Sequence, residues 1–137
     1  MKLIKLFTVL ISLFFIISAC ATTSPETIGK YDLASQLEPV SEILRYNLMG
    51  WETVDRQSLI LQTAPSSFYL IVLVHPSDQL VFAETISISH TGAVVKPGYD
   101  RVTVYGSPNN ESFVIDKIFK LEGRDQANAI SEQLEGK

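Results

Sequence analysis

The chain has 137 residues, with 11 lysines and arginines against 15 aspartates and glutamates, and a single cysteine. This length fits one ordinary domain. The acidic balance and the lack of clustered basic residues argue against a nucleic-acid partner, because phosphate binding needs such clusters. One cysteine allows no internal disulfide, so packing must stabilise the fold.

The first twenty residues have the layout of a secretory signal peptide. Lys2 and Lys5 supply positive charge, residues 6–17 are uncharged and mostly apolar, and small residues then precede Cys20. Those twelve residues are too few for a permanent transmembrane helix, which needs about twenty. The last four of the twenty read Ile-Ser-Ala-Cys, which resembles the lipobox of bacterial lipoproteins.

The lipobox resemblance implies that Cys20 is a lipidation site. Diacylglycerol would be attached through a thioether, the chain would be cleaved before Cys20, and the new amine would usually be acylated. An ordinary signal peptide with a chance cysteine and an uncleaved anchor are the alternatives. In a cell with two membranes, Ala21 stands where an aspartate typically signals inner-membrane retention, so the periplasmic face of the outer membrane is the expected location.

Removal of residues 1–19 leaves 118 residues and takes two lysines with it, so the formal charge falls from −4 to −6. This charge balance argues against binding of anionic headgroups through a basic face. Attachment would come from the lipid, in which each buried methylene contributes about 0.8 kcal/mol. Residues 20–31 are then interpreted as the lipidated cysteine and a flexible tether, and residues 32–137 as a single globular domain.

The beginning of this domain is the least clear part of the pattern. Residues 32–38 predict a short helical turn with Leu33 and Leu37 on one side, before Pro39 interrupts it. Residues 41–48 fit both an alternating strand and a helical stripe. We favour the strand, because Gly50 follows and the rest of the chain is typical of a sheet.

The middle of the chain predicts a series of short strands separated by polar turns. They are expected at residues 51–54, 58–63, 68–74, 86–89 and 101–105. Residues 68–74 are apolar throughout, which is typical of a central strand covered on both faces.

The last two elements are a long strand and a helix. Residues 113–121 fit a helix or a strand, and we favour a strand with a bulge near Asp116 and Lys117. A short amphipathic helix follows Gly123, with Asp125 as the expected N-cap. Its apolar side is formed by Ala127, Ile130 and Leu134. The predicted fold is α+β and β-rich, an antiparallel meander of about six strands that forms a curved sheet or small barrel with short terminal helices.

A packing pattern runs from residue 40 to residue 121. Its markers are Gly50-Trp51, Val54-Asp55, residues 58–61, Tyr69-Leu70, residues 80–86, residues 100–102, and the spacing of Ile115, Ile118 and Leu121. The pattern resembles a family of short, mostly proteobacterial lipoproteins with a domain of unknown function. This resemblance implies an envelope location and assigns no activity.

The chain departs from that family at two positions. Many members carry one cysteine after the apolar strand and another near the last strand. Here those positions fall near Ser77 and near Ser112 or Phe113. A disulfide or metal role for the pair therefore does not carry over.

Two groups of polar residues invite a catalytic or metal-binding hypothesis. His75, Ser77 and Asp78 lie in one turn, too close together for a nucleophile, base and orienting group to form a relay, so we interpret them as a polar turn in which Asp78 caps the next segment. His75 and His90 show no metal-ligand spacing, and no metal site or other cofactor is predicted. Asp55, Asp78 and Asp100 all fall in predicted turns, where Asx hydrogen bonds explain them.

The aromatic residues leave a choice open. Trp51 is expected in the core, and lining of a ligand or glycan site is the alternative. Tyr46, Tyr69 and Tyr105 are expected on strands.

The expected function is that of a non-enzymatic envelope lipoprotein, an accessory or interaction module held at a membrane, with an envelope protein as its expected partner. The alternative is a carrier of a small hydrophobic ligand between the sheet and a helix, which the apolar residues 68–74 motivate. If the meander forms a single layer, its central strand needs a cover, which either the helices or something else would supply.

Overall fold

The computed structural model describes residues 29–106 and 109–136. The predicted leader, Cys20 and residues 21–28 of the predicted tether lie outside the described residues. In chain order the elements are β1 (Glu38–Pro39), β2 (Gly50–Thr53), β3 (Ser58–Ala64), β4 (Ser67–Leu73), α1 (Asp78–Val81), β5 (Thr85–Ile88), β6 (Arg101–Tyr105), β7 (Glu111–Leu121) and α2 (Arg124–Glu135).

All strand pairs in the sheet are antiparallel, and six strands follow the order β2-β3-β4-β7-β6-β5. Two runs of three sequential strands are joined by the pairing of β4 with β7. The short strand β1 pairs with the C-terminal part of β7, where Pro39 lies opposite Phe119. The sheet curls into a half-barrel, which confirms the predicted β-rich α+β fold, and β7 lies between β4 and β6 instead of at the end of a simple meander.

The two faces of the sheet bury two separate cores. The first core lies on the face away from α2 and contains Ile43, Leu59, Leu61, Ile71, Leu73, Leu80, Ile86, Ile88, Val95, Val102, Val104, Ile115 and Ile118. The second core lies under α2 and contains Leu33, Leu37, Val54, Ile60, Phe68, Leu70, Val72, Phe119, Leu121, Ala127, Ile130 and Leu134. Strand β4 contributes to both cores, so the prediction of a central strand covered on both faces is confirmed.

A bulge in β7 explains why its sequence also fits a helix. Val72 lies opposite Lys117 whereas the next residue, Leu73, lies opposite Ile115, so Asp116 is the additional residue. The bulge shifts the alternation by one position, and Ile115 and Ile118 therefore both reach the first core although they are three residues apart. The predicted bulge near Asp116 and Lys117 is confirmed.

The predicted strand at residues 41–48 is wrong, and so is the helical alternative. Only Ile43 forms a bridge, with Val95. Arg45 has a φ of 53°, a left-handed conformation that turns the chain after this single pair. The Tyr46 N–H then donates to the Ala93 carbonyl at 2.8 Å. At residues 32–38, the Leu37 N–H donates to the Leu33 carbonyl at 2.7 Å, which confirms the predicted helical turn.

Two predicted helix caps need correction. Helix α1 was not expected, and Ser77 caps it, because the Ser77 Oγ accepts from the Gln79 N–H while Asp78 lies in the first turn. At α2 the cap position is Gly123, with a φ of 146° that favours glycine, and Asp125 lies in the first turn. The predicted apolar side of this helix is confirmed, since Ala127, Ile130 and Leu134 are all buried.

Candidate functional site

The densest polar cluster lies where the described chain begins. Asp55, in the turn between β2 and β3, accepts hydrogen bonds on Oδ1 from the Gln57 N–H at 2.8 Å and the Ser58 Oγ at 2.9 Å. The Tyr31 hydroxyl lies 2.8 and 2.7 Å from the two carboxylate oxygens. The Lys30 Nζ lies 2.8 Å from Asp55 Oδ2. One carboxylate thus holds the start of the described chain against the β2–β3 turn.

The pKa shifts of Asp55 and Tyr31 are consistent with these contacts. Burial alone would raise the pKa of Asp55, but its bonds with Lys30, Tyr31, Gln57 and Ser58 outweigh burial and hold the pKa below its ordinary value. Burial, reinforced by the Asp55 carboxylate, raises the pKa of Tyr31 well above its ordinary value. At neutral pH an ionised Asp55 therefore faces a protonated phenol and an ammonium group.

Because of this cluster, the part of the chain that packs against the domain begins before residue 32, the predicted start of the domain. Lys30 and Tyr31 are the last two residues of the predicted tether, yet both bind Asp55, and Tyr31 also packs against the second core. The predicted Asx role of Asp55 in its turn is confirmed by its bond from the Gln57 N–H. The long-range partners, 24 and more residues earlier in the chain, were not predicted.

Helix α1 lies beside the same turn. The Ser77 N–H donates to the Arg56 carbonyl at 2.6 Å, and the Arg56 Nε lies 2.6 Å from Asp78 Oδ1. The Thr53 hydroxyl donates to the Leu80 carbonyl at 3.0 Å. The start of the described chain and α1 therefore share one end of the domain.

This end exposes apolar side chains. Leu80 is fully buried in the first core, whereas the next two residues, Val81 and Phe82, are 46% and 82% exposed. Phe82 borders an open groove of about 200 Å³, whose other lining residues are Asp78, Gln79, Ala83, Val104, Tyr105 and Gly106. The Gln79 Oε1 is buried in this region without a hydrogen-bond partner.

The residues that suggested a hydrolase have structural partners. Ser77 caps α1, Asp78 pairs with Arg56, and His75 is exposed. His90 is exposed as well, and its ring lies 5.5 Å from that of Tyr46. Within residues 29–106 and 109–136, no three His, Cys, Asp or Glu side chains come together as a metal site.

The buried carboxylate of Asp100 connects two loops. Asp100 accepts from the Ser89 hydroxyl at 2.7 Å and from the Lys96 N–H at 2.8 Å, in agreement with its predicted turn role. It borders an open groove of about 580 Å³, whose other lining residues are Glu42, Leu44, Thr91, Val94, Lys96 and Tyr99. The charged side chains there pair with each other, since the Lys96 Nζ lies 3.4 Å from Glu42 Oε2.

The aromatic residues divide between core and surface. Trp51, Tyr46 and Tyr69 are partly buried and pack against the first core, which agrees with the predicted packing role of Trp51. Burial raises the pKa of Tyr46 to about 12. Tyr105 is 41% exposed, and its hydroxyl lies 3.0 Å from the Ser87 hydroxyl.

The apolar residues of β4, which motivated the carrier hypothesis, are covered by the chain itself. Ile130 and Leu134 of α2 share the second core with one face of β4, and Ile43 and Leu80 share the first core with the other. The described grooves open to solvent at the surface. Ligand carriage stays a prediction.

Among the helices that the structure describes, none has the length and apolar character needed to cross a bilayer. Comparison with curated proteins and comparison with solved structures both found no match. The sequence model of a family described as "Family of unknown function (DUF6491)" matches residues 1–137. The chain therefore belongs to this family of unknown function.

Proposed function

We propose that this protein is a cell-envelope lipoprotein, anchored through lipid on Cys20, that serves as a non-enzymatic accessory or interaction module at a membrane. The observation that carries the proposal is the order of residues 1–20: two lysines, a twelve-residue uncharged run and Ile-Ser-Ala-Cys. The family match begins at Met1, so the leader lies within the matched residues. With Ala21 after the cysteine, the proposed location is the periplasmic face of an outer membrane.

The cluster around Asp55 supports this proposal from the side of the domain. A lipid-anchored module needs a defined place at which the segment from the membrane joins the folded part. The bonds of Lys30 and Tyr31 to Asp55 supply such a place ten residues after Cys20. The proposed family markers Gly50-Trp51 and Val54-Asp55 belong to the same β2–β3 hairpin.

Incorporation of radiolabelled palmitate tests the anchor. We expect label in the wild-type protein and none in Cys20→Ala, because the thiol is the proposed acceptor. The control is Ser18→Ala, which keeps a small residue before the cysteine and should be labelled like the wild type. Unlabelled wild-type protein, or label that persists in Cys20→Ala, would contradict the proposal.

Crosslinking in intact membranes at native expression tests the interaction module. We expect the wild-type protein to recover a distinct envelope protein, and Cys20→Ala to recover less of it because the domain then lacks its lipid. Recovery of the bait alone would count against a protein partner.

A further inference from the structure

We propose that the end of the domain formed by α1 docks on the lipid bilayer, with Val81 and Phe82 entering the membrane surface. This docking rests on the proposed lipid anchor at Cys20 and extends it. The anchor would then hold the domain in one orientation, with one end against the lipid. We call Val81 and Phe82 the docking pair.

The docking pair is apolar, exposed and rigidly presented. Phe82 is 82% exposed, the largest exposed fraction after Tyr99 among the large apolar side chains described, and Val81 is 46% exposed. The backbone around them is fixed, because Leu80 is fully buried and the Ala83 N–H donates to the Leu80 carbonyl at 3.2 Å. Removing two such side chains from water is favourable, and their rigid presentation limits the entropy that is lost.

The N-terminal connection reaches the domain at this same end. Lys30 pairs with Asp55, and the next residue, Arg56, contacts both Ser77 and Asp78 at the start of α1. Ten residues separate Cys20 from Lys30, and a chain of that length spans at most about 35 Å. A lipid on Cys20 would therefore keep α1 within reach of the bilayer.

When α1 lies on the membrane, the length of the sheet separates the opposite end of the domain from the lipid. The hairpin between β3 and β4 turns at Pro65 and Ser66, whereas Ser58 begins β3 beside Asp55. The seven residues of β3 span about 23 Å. An orientation with α1 on the membrane therefore places Ser66 in water.

The charges around the docking pair favour an uncharged lipid surface. Asp78 is paired with Arg56, and Asp55 is paired with Lys30. Glu84, two residues after Phe82, is exposed. These described residues carry two positive and three negative charges, so insertion of apolar side chains into zwitterionic lipid fits better than attraction to anionic headgroups.

Tryptophan quenching by brominated lipid tests the docking. Full-length Phe82→Trp and Ser66→Trp are purified from membranes and reconstituted into phosphatidylcholine vesicles that carry bromine at acyl carbons 6 and 7. The wild type, with Trp51 as its single tryptophan, supplies the background. We expect the tryptophan added at position 82 to lose at least twice the fraction of fluorescence lost at position 66. Val81→Trp repeats the test at the neighbouring position.

Equal quenching at positions 82 and 66 would overturn the docking, and so would quenching at neither. The intact mass of the same samples reports on the anchor separately. If Cys20 carries no lipid, the proposed function fails, and the Cys20 thiol is then coupled to a maleimide phospholipid in the vesicles. The quenching comparison on that coupled protein decides the docking by the same criterion.

Discussion

Two aspartates at one end of the domain carry ion pairs of similar length in different surroundings. The side chains of Asp55 and Lys30 are 15% and 28% exposed, whereas those of Asp78 and Arg56 are 75% and 59% exposed. Exposed pairs contribute about 0–1 kcal/mol because water competes and both side chains lose freedom. Asp55 differs because it also satisfies the hydroxyl of Ser58, which is fully buried.

We therefore expect Asp55→Ala to lower the free energy of unfolding by about 2–4 kcal/mol, since it leaves the Ser58 and Tyr31 hydroxyls without their acceptor. Asp78→Ala, the matched control, should cost less than about 1 kcal/mol. Urea unfolding of both variants measures the difference. Equal losses would show that the Asp55 cluster is no stronger than a surface pair.

The lowered pKa of Asp55 predicts a dependence of stability on pH. A carboxylate whose pKa is lower in the folded than in the unfolded state stabilises the fold above its unfolded pKa, about 3.9, and loses that contribution as the pH falls through the folded value. The difference in unfolding free energy between the wild type and Asp55→Asn should thus be largest near pH 7 and shrink below about pH 4. A difference that grows towards acid would contradict this sign.

The raised pKa of Tyr31 predicts a dependence of stability on pH in the alkaline range. A phenol whose pKa is higher in the folded state stabilises the fold below its unfolded pKa, about 10, and that contribution declines above it. The link between Tyr31 and Asp55 is therefore complete from about pH 4 to about pH 10. Sequence alone predicts the local turn role of Asp55, but its partner Tyr31 depends on the folded path of 24 intervening residues.

At the level of elements, strands are predicted best from the sequence where the apolar residues follow a single pattern. Strand β4 is apolar throughout and lies between two cores, and β6 alternates strictly, so both were predicted within a residue. The bulge of β7 was predictable because Lys117 interrupts the alternation of apolar residues along the strand. The prediction for residues 41–48 is wrong because their apolar residues fit both the strand and the helix period. The left-handed conformation of Arg45 cannot be predicted from either period.

Helix α1 was missed for a related physical reason. It has four residues, too few for a helical period, and tertiary contacts hold it in place. Ser77 and Asp78 were predicted to form a turn. In the structure Ser77 is the N-cap of α1 and Asp78 is its first residue. Leu80 is buried and Phe82, two residues later, is exposed. Both are large apolar residues, so the sequence alone does not predict which of the two is buried.

Neighbouring residues of α1 allow a test of its role. Leu80→Ala should lower the free energy of unfolding by about 2–4 kcal/mol, because it leaves a cavity in the first core. Val81→Ala, one position later and 46% exposed, should cost less than about 1 kcal/mol. Thermal or urea unfolding compares the two. Similar losses would mean that α1 does not seal the first core.

At the scale of the whole molecule, the N-terminal segment is part of the fold and not an appendage to it. Tyr31, Leu33 and Leu37 pack with α2 against the second core. The Gln133 amide nitrogen lies 3.4 Å from the Gln36 amide oxygen, so the segment also contacts α2 at its surface. A force applied to the chain before Lys30 would therefore act first on the Asp55 cluster and then on a packed core.

Together with the proposed lipid anchor, this arrangement predicts how trypsin would release the domain from a membrane. Cleavage after Lys30 needs local opening of the chain around it, and the rate follows the population of the open form when reclosing is fast. Asp55→Ala removes the contacts that keep Lys30 and Tyr31 closed. For the membrane-bound protein we expect the new N-terminus at Tyr31 to form about tenfold faster in Asp55→Ala than in the wild type, since a factor of ten corresponds to about 1.4 kcal/mol.

Asp100→Ala is the control, because Asp100 is a buried carboxylate that, like Asp55, accepts several hydrogen bonds, but it contacts Ser89 and Lys96 instead of the N-terminal segment. It should lower overall stability and leave the cleavage rate after Lys30 near that of the wild type. N-terminal sequencing of the released fragment measures the rate at this bond alone. If Asp100→Ala speeds this cleavage as much as Asp55→Ala does, release follows global unfolding, and the Asp55 cluster does not locally hold the segment between the proposed anchor and the domain.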